Sequence, residues 1–298
     1  MLSDLAVGWV GLGKMGRLMS RRVHQAGAQV FVTSRNPAAV EEMVGEGLTR
    51  AASPRQVAEN ADIVVITTFD AASVQAVLQG KDGVIAGIHR PVLVIDMGTT
   101  AVGATREFAR MVTATNGAYL DAPVSGGTRG AEEGSLTIMV GGEAGDLKRA
   151  LPIFSVLGQH VTHVGPVGAG QVAKAANQVI VGLTIAAVAE ALALVTEAGI
   201  DLKKTHQALQ GGFADSRILR EHGLRMIQRN FAPGATIAVQ RKDMNQALSL
   251  AKSLGLEMPM TALAAGRFNA AADRGFDDLD QSAIFKLFES VKLKNGET

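Results

Sequence analysis

The chain of 298 residues contains no cysteine. It therefore cannot form disulfides or zinc–thiolate sites, and it has no thiol nucleophile. The absence of cysteine suits a reducing compartment, and we predict a cytoplasmic protein. An excess of either charge is also missing, because 29 Lys and Arg residues face 28 Asp and Glu residues. Without a strong global field, we expect neither nucleic acid nor an anionic membrane as a partner.

Long uninterrupted apolar runs are also scarce. The longest apolar stretch without a charge, residues 178–189, is too short to span a bilayer, and the N-terminus lacks the basic region of a signal peptide. The hydrophobic fraction of 47% and the charged fraction of 19% are typical of a folded globular protein. The length allows two domains of ordinary size.

The first half of the chain alternates short β-rich runs with segments of helical periodicity. Most of the runs are continuously apolar, as expected for parallel strands covered on both faces. This alternation predicts a doubly wound α/β fold of the Rossmann type. The predicted strands are residues 6–10, 30–33, 63–67, 92–95, 119–120, 137–140 and 161–164.

The second half changes character after Gly168. Between residues 171 and 196 the only charged residues are Lys174 and Glu190, which predicts a long helix, apolar all round and therefore buried. We predict a Rossmann domain over residues 1–167 and an all-helical substrate and oligomerisation domain over residues 168–298, joined by this central helix. Such a helix needs more cover than one small domain provides, so we expect a homodimer or homotetramer.

Residues 11–16 read Gly-Leu-Gly-Lys-Met-Gly, a G-x-G-x-x-G pattern between a predicted strand and a predicted helix. In a dinucleotide-binding loop the first glycine allows a tight turn, the second lets the backbone approach a pyrophosphate, and the third permits close helix–strand packing. The alternative is a glycine turn that binds nothing. The predicted cofactor contacts in this loop are Gly11, Leu12, Gly13, Met15 and Gly16.

The end of the second predicted strand indicates which dinucleotide binds. A carboxylate there would bond the ribose of NAD and repel a 2′-phosphate, but residues 33–37 contain no acid. Arg35 can pair with that phosphate, so we expect NADP rather than NAD, with Ser34 and Asn36 beside it. The alternative is a solvated loop arginine.

Two further segments carry candidate chemistry. Ser125, Gly126 and Gly127 follow a predicted strand and could form an anion nest for a substrate carboxylate, although a plain glycine turn explains them equally well. Lys174 stands near the start of the apolar helix, with Asn177 and Gln178 on the same face. A desolvated lysine can act as a general acid. The alternative is a lysine without a catalytic role, whose side chain snorkels into solvent. No metal site is predicted, because the six histidines show no ligand spacing.

Together these motifs resemble the β-hydroxyacid dehydrogenase family, which includes the 3-hydroxyisobutyrate dehydrogenases. The resemblance rests on four ordered motifs across nearly the whole chain: residues 11–16, 121–127 and 168–178, and the Lys-Asp-Met of residues 242–244. The run 175–181 is similar to the tartronate semialdehyde reductase branch. The family often has Leu-Pro where this chain has Thr67 and Thr68.

The resemblance implies a role for each matching residue. Lys174 falls on the catalytic lysine, and Asn177 and Gln178 on a pair that orients the substrate. The remaining positions implied are Ser125, Gly126, Gly127 and Asp243 for the substrate, and Thr99 and Lys242 for the cofactor. Thr67 and Thr68, where the chain departs from the family pattern, are predicted cofactor contacts by their position after the middle strand.

The expected activity is NADP-dependent reduction of a small carboxylate-bearing aldehyde, such as tartronate semialdehyde, another C2–C4 semialdehyde or glyoxylate, with Lys174 as the general acid. One alternative is a β-hydroxyacid dehydrogenase, such as a 3-hydroxyisobutyrate dehydrogenase, working in the oxidative direction. Less favoured alternatives are an imine reductase and a non-catalytic NADP-binding protein. For Arg241, Lys242 and Asp243, the bland alternative is a solvated charge cluster.

Overall fold

The computed structural model describes residues 2–289, and the chain forms two compact units. The first unit ends at Lys174 and the second begins at Ala175.

A nine-stranded sheet forms the centre of the first unit, in the order β3-β2-β1-β4-β5-β6-β8-β7, with β9 paired to β8. All seven strands predicted from the sequence are confirmed. Two strands of two residues each escaped prediction because they are too short for a periodicity. In chain order the strands are β1 (Ala6–Val10), β2 (Gln29–Thr33), β3 (Thr49–Arg50), β4 (Ile63–Ile66), β5 (Val92–Asp96), β6 (Gly117–Asp121), β7 (Val124–Ser125), β8 (Leu136–Gly141) and β9 (Gly158–Gly165).

The sheet is doubly wound but not parallel throughout. The first six strands pair in parallel, and the chain winds outward from β1 to β3 before it crosses to β4. At the other edge β8 runs antiparallel to both β6 and β7. The chain reverses direction there through the short β7 and helix α6 (Gly127–Glu133), which lie between β6 and β8.

Apolar side chains of the strands build a core on each face of this sheet. All residues of β4 and β5 are buried, and alternate residues along each strand belong to two separate apolar clusters. Asn36 and Ser53 cap the helices that follow them, each with proline at the first helical position. Besides α6, the α-helices of this unit are α1 (Lys14–Gln25), α2 (Pro37–Gly45), α3 (Pro54–Asn60), α4 (Ala71–Gln79), α5 (Val102–Thr113) and α7 (Ala144–Leu157).

The described part of the second unit, residues 175–289, is built from helices around a third apolar cluster. Ile185, Leu192 and Phe268 are among its fully buried members. A π-helical turn covers Leu219–Gly223, and a 3₁₀ turn covers Gln281–Phe285. The α-helices are α8 (Ala169–Glu197), which begins in the first unit, and then α9 (Leu202–Leu209), α10 (Leu224–Gln228), α11 (Ile237–Ser253), α12 (Pro259–Asp273) and α13 (Lys286–Glu289).

Helix α8 is the long apolar helix that the sequence predicts, but in the single chain it is not buried all round. Its most apolar 18-residue window has a mean hydropathy of 2.3, yet only 28% of that window is buried in the isolated chain. Ile180 and Leu194 are 64% and 72% exposed. By length and composition alone the whole helix could cross a membrane, a test that the core helix of a soluble protein also passes.

Candidate active site

The predicted site residues of the first unit follow the carboxyl ends of its parallel strands. Val10, Ile66, Asp96 and Asp121 are the last residues of β1, β4, β5 and β6, and they stand in register across the sheet. One predicted segment follows each of these four strands. The glycine loop follows β1, Thr67 and Thr68 follow β4, Thr99 follows β5, and the Ser125 segment follows β6. This edge is where open α/β sheets bind ligands.

The glycine loop is held in a tight turn against β4. Gly11 has φ of 102°, and a Cβ on it would lie 2.5 Å from the carbonyl oxygen of Thr67. A Cβ on Gly16 would lie 2.1 Å from the carbonyl oxygen of Gly11. The Thr67 hydroxyl donates to that same carbonyl at 2.6 Å and accepts from Trp9 Nε1 at 2.9 Å. Both glycines are therefore required by close backbone packing.

The start of α1 suits a dinucleotide phosphate. Gly13 caps this helix without a side-chain hydrogen bond, and its first turn contains no acidic residue. A Cβ on Gly13 would meet no heavy atom within 4 Å, so the backbone can be approached there. The buried Thr68 hydroxyl has no hydrogen-bond partner among residues 2–289. The side chains of Leu12 and Met15 pack into the core, which leaves their backbone for any ligand contact.

Ser34 and Asn36 shape the turn that presents Arg35. The Ser34 hydroxyl accepts a hydrogen bond from the Asn36 amide at 3.2 Å, and Asn36 Oδ1 accepts from the Ala38 amide at 3.1 Å, which caps α2. Arg35 itself is exposed. The two neighbours thus have structural roles, and the guanidinium between them is accessible from solvent.

Lys174 is buried beside the segment predicted to bind a carboxylate. Lys174 is only 7% exposed, and its Nζ donates a hydrogen bond to the carbonyl oxygen of Val124 at 2.8 Å. Val124 directly precedes Ser125 in β7, so two motifs 50 residues apart in the sequence come together. The alternative in which Lys174 snorkels into solvent is wrong. Gly126 and Gly127 have φ of 134° and 63°, values that favour glycine.

Asp121 and Gln171 fix the beginning of α8. Asp121 Oδ1 accepts from the Gly168 amide at 2.7 Å, and Oδ2 accepts from the Gln171 amide at 2.9 Å. Burial raises the pKa of Asp121, although these amide donors act in the opposite direction. The Gln171 side chain accepts from the Thr100 amide and donates to the Gly98 carbonyl, both at 3.0 Å. The loop that contains Thr99 is thereby tied to the helix that carries Lys174.

Asp96 holds the same loop from the strand side. Its carboxylate accepts from the Gly98 amide and the Thr100 hydroxyl, both at 2.9 Å, and from the Tyr119 hydroxyl at 3.4 Å. Burial raises the pKa of Asp96 to about 6, against the lowering effect of Gly98 and Thr100 and with a further rise from Asp121. Sequence reasoning did not single out Asp96; the signal was a carboxylate ending an otherwise apolar strand.

The predicted site residues of the second unit form a hydrogen-bonded group of their own. Gln178 Nε2 donates to Asp243 Oδ2 at 2.8 Å and to Gln240 Oε1 at 3.0 Å, and Asn177 Nδ2 donates to Gln178 Oε1 at 2.7 Å. Lys242 Nζ lies 3.0 Å from Asp243 Oδ1. Gln240, 1% exposed, also donates to the Gln178 carbonyl at 3.0 Å and was missed from the sequence. Asp243 is 3% exposed, so the solvated-cluster alternative is wrong for it.

Comparisons with known proteins cover almost the whole chain. Residues 6–165 match the model for the NAD binding domain of 6-phosphogluconate dehydrogenase, and residues 168–288 match the NAD-binding domain of NADP-dependent 3-hydroxyisobutyrate dehydrogenase. A 2-hydroxy-3-oxopropionate reductase of Escherichia coli is 44% identical over 285 residues, which is 96% of this chain and 97% of that protein.

Two further relatives are both named 3-hydroxyisobutyrate dehydrogenase. A 3-hydroxyisobutyrate dehydrogenase of Pseudomonas aeruginosa is 34% identical, over 96% of this chain and 99% of that protein. The crystal structure of a 3-hydroxyisobutyrate dehydrogenase from Salmonella typhimurium superposes with a TM-score of 0.87 at 31% identity, over 95% of this chain and all of that one.

Proposed function

The chain belongs to the 3-hydroxyisobutyrate dehydrogenase-like family and is an NAD(P)-dependent hydroxyacid dehydrogenase, and from this premise we propose that it reduces a small carboxylate-bearing aldehyde with NADPH. The first candidate substrate is 2-hydroxy-3-oxopropionate (tartronate semialdehyde), the compound in the name of the 44% identical relative. The single observation that supports the chemistry most is the placing of a buried Lys174 beside the Ser125 segment.

The substrate carboxylate would be held by the Ser125 hydroxyl and the backbone amides of Gly126 and Gly127. The positive φ of both glycines turns the chain sharply after β7, so successive amides become available to an anion. Because Lys174 contacts the residue before Ser125, its ammonium would lie close to a substrate bound there.

Lys174 would act as the general acid. Bound NADPH would supply the hydride from its nicotinamide. Negative charge then develops on the carbonyl oxygen, and Lys174 Nζ stabilises that charge and donates a proton to the oxygen. The Val124 carbonyl fixes the direction of Nζ, and the burial of Lys174 strengthens its electrostatic effect on a nearby oxyanion.

Arg35 would select NADP over NAD. Its guanidinium is accessible at the end of β2, and no carboxylate stands in residues 33–37 to bond an unmodified ribose. An arginine can bind a 2′-phosphate through two parallel hydrogen bonds. The glycine loop and α1 would hold the pyrophosphate.

We propose Asn177 and Gln178 as the residues that orient the substrate, the role that the family resemblance implies for them. Gln178 is locked by Gln240 and Asp243, which leaves its amide in one orientation. Lys242 pairs with Asp243, and we propose it as a cofactor contact on the family resemblance.

The oxidative direction is the second candidate, because two relatives are named 3-hydroxyisobutyrate dehydrogenases. The same residues would serve, with Lys174 accepting the proton from the hydroxyl. Rates with 3-hydroxyisobutyrate and NADP⁺ against rates with 2-hydroxy-3-oxopropionate and NADPH separate the two.

We also infer a homodimer or homotetramer. The exposed apolar residues of α8 and α12 include Leu194, Met260 and Leu263, each at least two-thirds exposed in the single chain. Exposed apolar side chains of this number call for a second copy as cover. A monomer mass by light scattering at micromolar concentration would overturn this inference.

The deciding experiment replaces Lys174 by methionine, an apolar residue of similar length. We expect turnover of 2-hydroxy-3-oxopropionate to fall by about 10²- to 10⁴-fold, with nearly unchanged NADPH affinity, because only proton donation and oxyanion stabilisation are lost. Lys252→Met, on the exposed part of α11, is the control for loss of one positive charge. A variant that keeps its rate would show that Lys174 is not the acid.

A further inference from the structure

Two buried carboxylates lie side by side at the sheet edge where the proposed chemistry takes place. Asp96 and Asp121 are the last residues of β5 and β6, they are partners in the parallel register, and both are fully buried. Buried carboxylates are costly unless hydrogen bonds satisfy them. The groups that satisfy these two belong to the segments around the proposed site.

Asp96 receives its donors from the loop after its own strand. The Gly98 amide and the Thr100 hydroxyl bond to different carboxylate oxygens, so both oxygens are used to shape the loop that contains Thr99. A Cβ on Gly98 would lie 3.0 Å from Asp96 Oδ1 and 2.9 Å from the Thr68 carbonyl. The loop is therefore pressed between Asp96 and the end of β4.

Asp121 receives its donors from the first turn of α8. Besides the amides of Gly168 and Gln171, two glycines close around it without a side chain. A Cβ on Gly141 would lie 2.5 Å from Oδ1, and a Cβ on Gly170 would lie 2.8 Å from Oδ2. The space around this carboxylate is built to fit it.

Gln171 connects the two arrangements. Its backbone amide is held by Asp121, while its side chain bonds the Thr100 amide and the Gly98 carbonyl of the loop that Asp96 holds. Lys174 follows three residues later on the same helix.

We propose that Asp96 and Asp121 are positioning residues for the proposed reaction, and that through Gln171 they fix the loop of Thr99 relative to the turn of α8 that carries Lys174. The inference rests on the proposed function, since it concerns the geometry in which Lys174 works. Neither carboxylate needs to touch the substrate.

The acceptor capacity of Asp96 predicts a pH dependence. The titratable groups that face Asp96 are Asp121 and Tyr119, both on β6; its neighbour on β4 is Ile66, and the loop after β5 contributes uncharged donors. Because the pKa of Asp96 is raised to about 6, it takes up a proton as the pH falls through this value and accepts less well. We expect the kcat/KM of the wild type to show an acid limb near pH 6.

The test compares Asp96→Asn with Thr100→Val and a matched control. Asparagine offers one acceptor oxygen where the carboxylate offers two, and valine removes the Thr100 donor alone. We expect kcat/KM at pH 7.5 to fall about 10- to 100-fold in Asp96→Asn, the effect of losing a hydrogen bond to a charged group. Its acid limb should disappear, and NADPH, followed by its own fluorescence, should bind several-fold more weakly. Thr100→Val should show a smaller loss of the same kind.

Asp62→Asn is the control. Asp62 immediately precedes β4, at the amino-terminal ends of the parallel strands and away from the proposed site, and it is partly exposed. It should retain the wild-type profile. An Asp96→Asn enzyme with the wild-type rate, acid limb and NADPH affinity would overturn the inference. A wild type that turns over no substrate would overturn the proposed function instead, and the NADPH affinity of Asp96→Asn would still test the positioning role.

Discussion

We expect ionised Asp96 to destabilise the folded protein. The wild type should therefore lose stability relative to an Asp96→Asn variant as the pH rises from mildly acidic to neutral. Burial raises the pKa of Asp96 from 3.8 to about 6, because the donors from Gly98 and Thr100 only partly offset the loss of water. One pKa unit corresponds to about 1.4 kcal/mol, so ionising Asp96 in the folded protein costs about 3 kcal/mol of unfolding free energy.

The sign follows from the direction of the pKa change. A carboxyl group with a raised folded-state pKa contributes stability that is fully present below 3.8 and is lost as the pH rises through 6. Roughly half of the effect develops between pH 5 and pH 7.5. The difference in unfolding free energy, Asp96→Asn minus wild type, should therefore increase by about 1.5 kcal/mol over that range. This corresponds to about 3–6 °C in Tm for a unit of this size.

Trp9 provides the assay. It is the chain's single tryptophan, fully buried in β1, so its fluorescence follows the unfolding of the sheet. Melting curves of the wild type, Asp96→Asn and Asp62→Asn would be recorded from pH 5 to pH 7.5. A constant difference between Asp96→Asn and the wild type would refute the reasoning. A slope that Asp62→Asn shares would trace the effect to net charge rather than to burial.

Three further results are expected. Gly16→Ala should abolish NADPH binding and lower the Tm, because its Cβ would lie 2.1 Å from the Gly11 carbonyl; a variant that binds normally in a fluorescence titration would contradict this packing. Arg35→Ala should weaken NADPH far more than NADH, by about 1.5–3 kcal/mol for a lost charge-assisted bond, and equal losses for both would remove its selective role. Gln240→Leu should raise the KM for the aldehyde while NADPH affinity is retained, because Gln178 loses a bonded partner; an unchanged KM would make Gln240 structural only.

Much of the fold is predictable from local pattern. The apolar runs of β4 and β5 and the glycine loop after β1 carry signals within a few residues, and the structure contains each of these elements. The reversal at β7 and β8 is not predictable in this way, because strand direction depends on pairings between distant segments. The exposure of α8 in the single chain also depends on its neighbours, so its composition alone does not predict it.

The site divides in the same manner. Lys174 and the Ser125 segment are recognisable by residue type in an unusual setting, and the contact through Val124 joins them. Asp96 carries only the weak signal of a carboxylate at the end of an apolar strand, and Gln171 and Gln240 carry none. The two glutamines matter because they form hydrogen bonds with residues 62 to 73 positions away in the sequence. No local spacing pattern reveals such bonds.

The energetics of Asp96 argue for a functional reason to keep it. At neutral pH the ionised form costs about 3 kcal/mol relative to the protonated carboxyl, a large share of the stability of a typical domain. Three donors nevertheless converge on this carboxylate, from Gly98, Thr100 and Tyr119. An asparagine amide would keep one oxygen for the Gly98 amide and turn its NH2 towards the Thr100 and Tyr119 hydroxyls, which would have to accept where they now donate. A residue that lowers stability while it orders the loop at the proposed nicotinamide side is what selection for activity retains, and selection for stability alone would remove it.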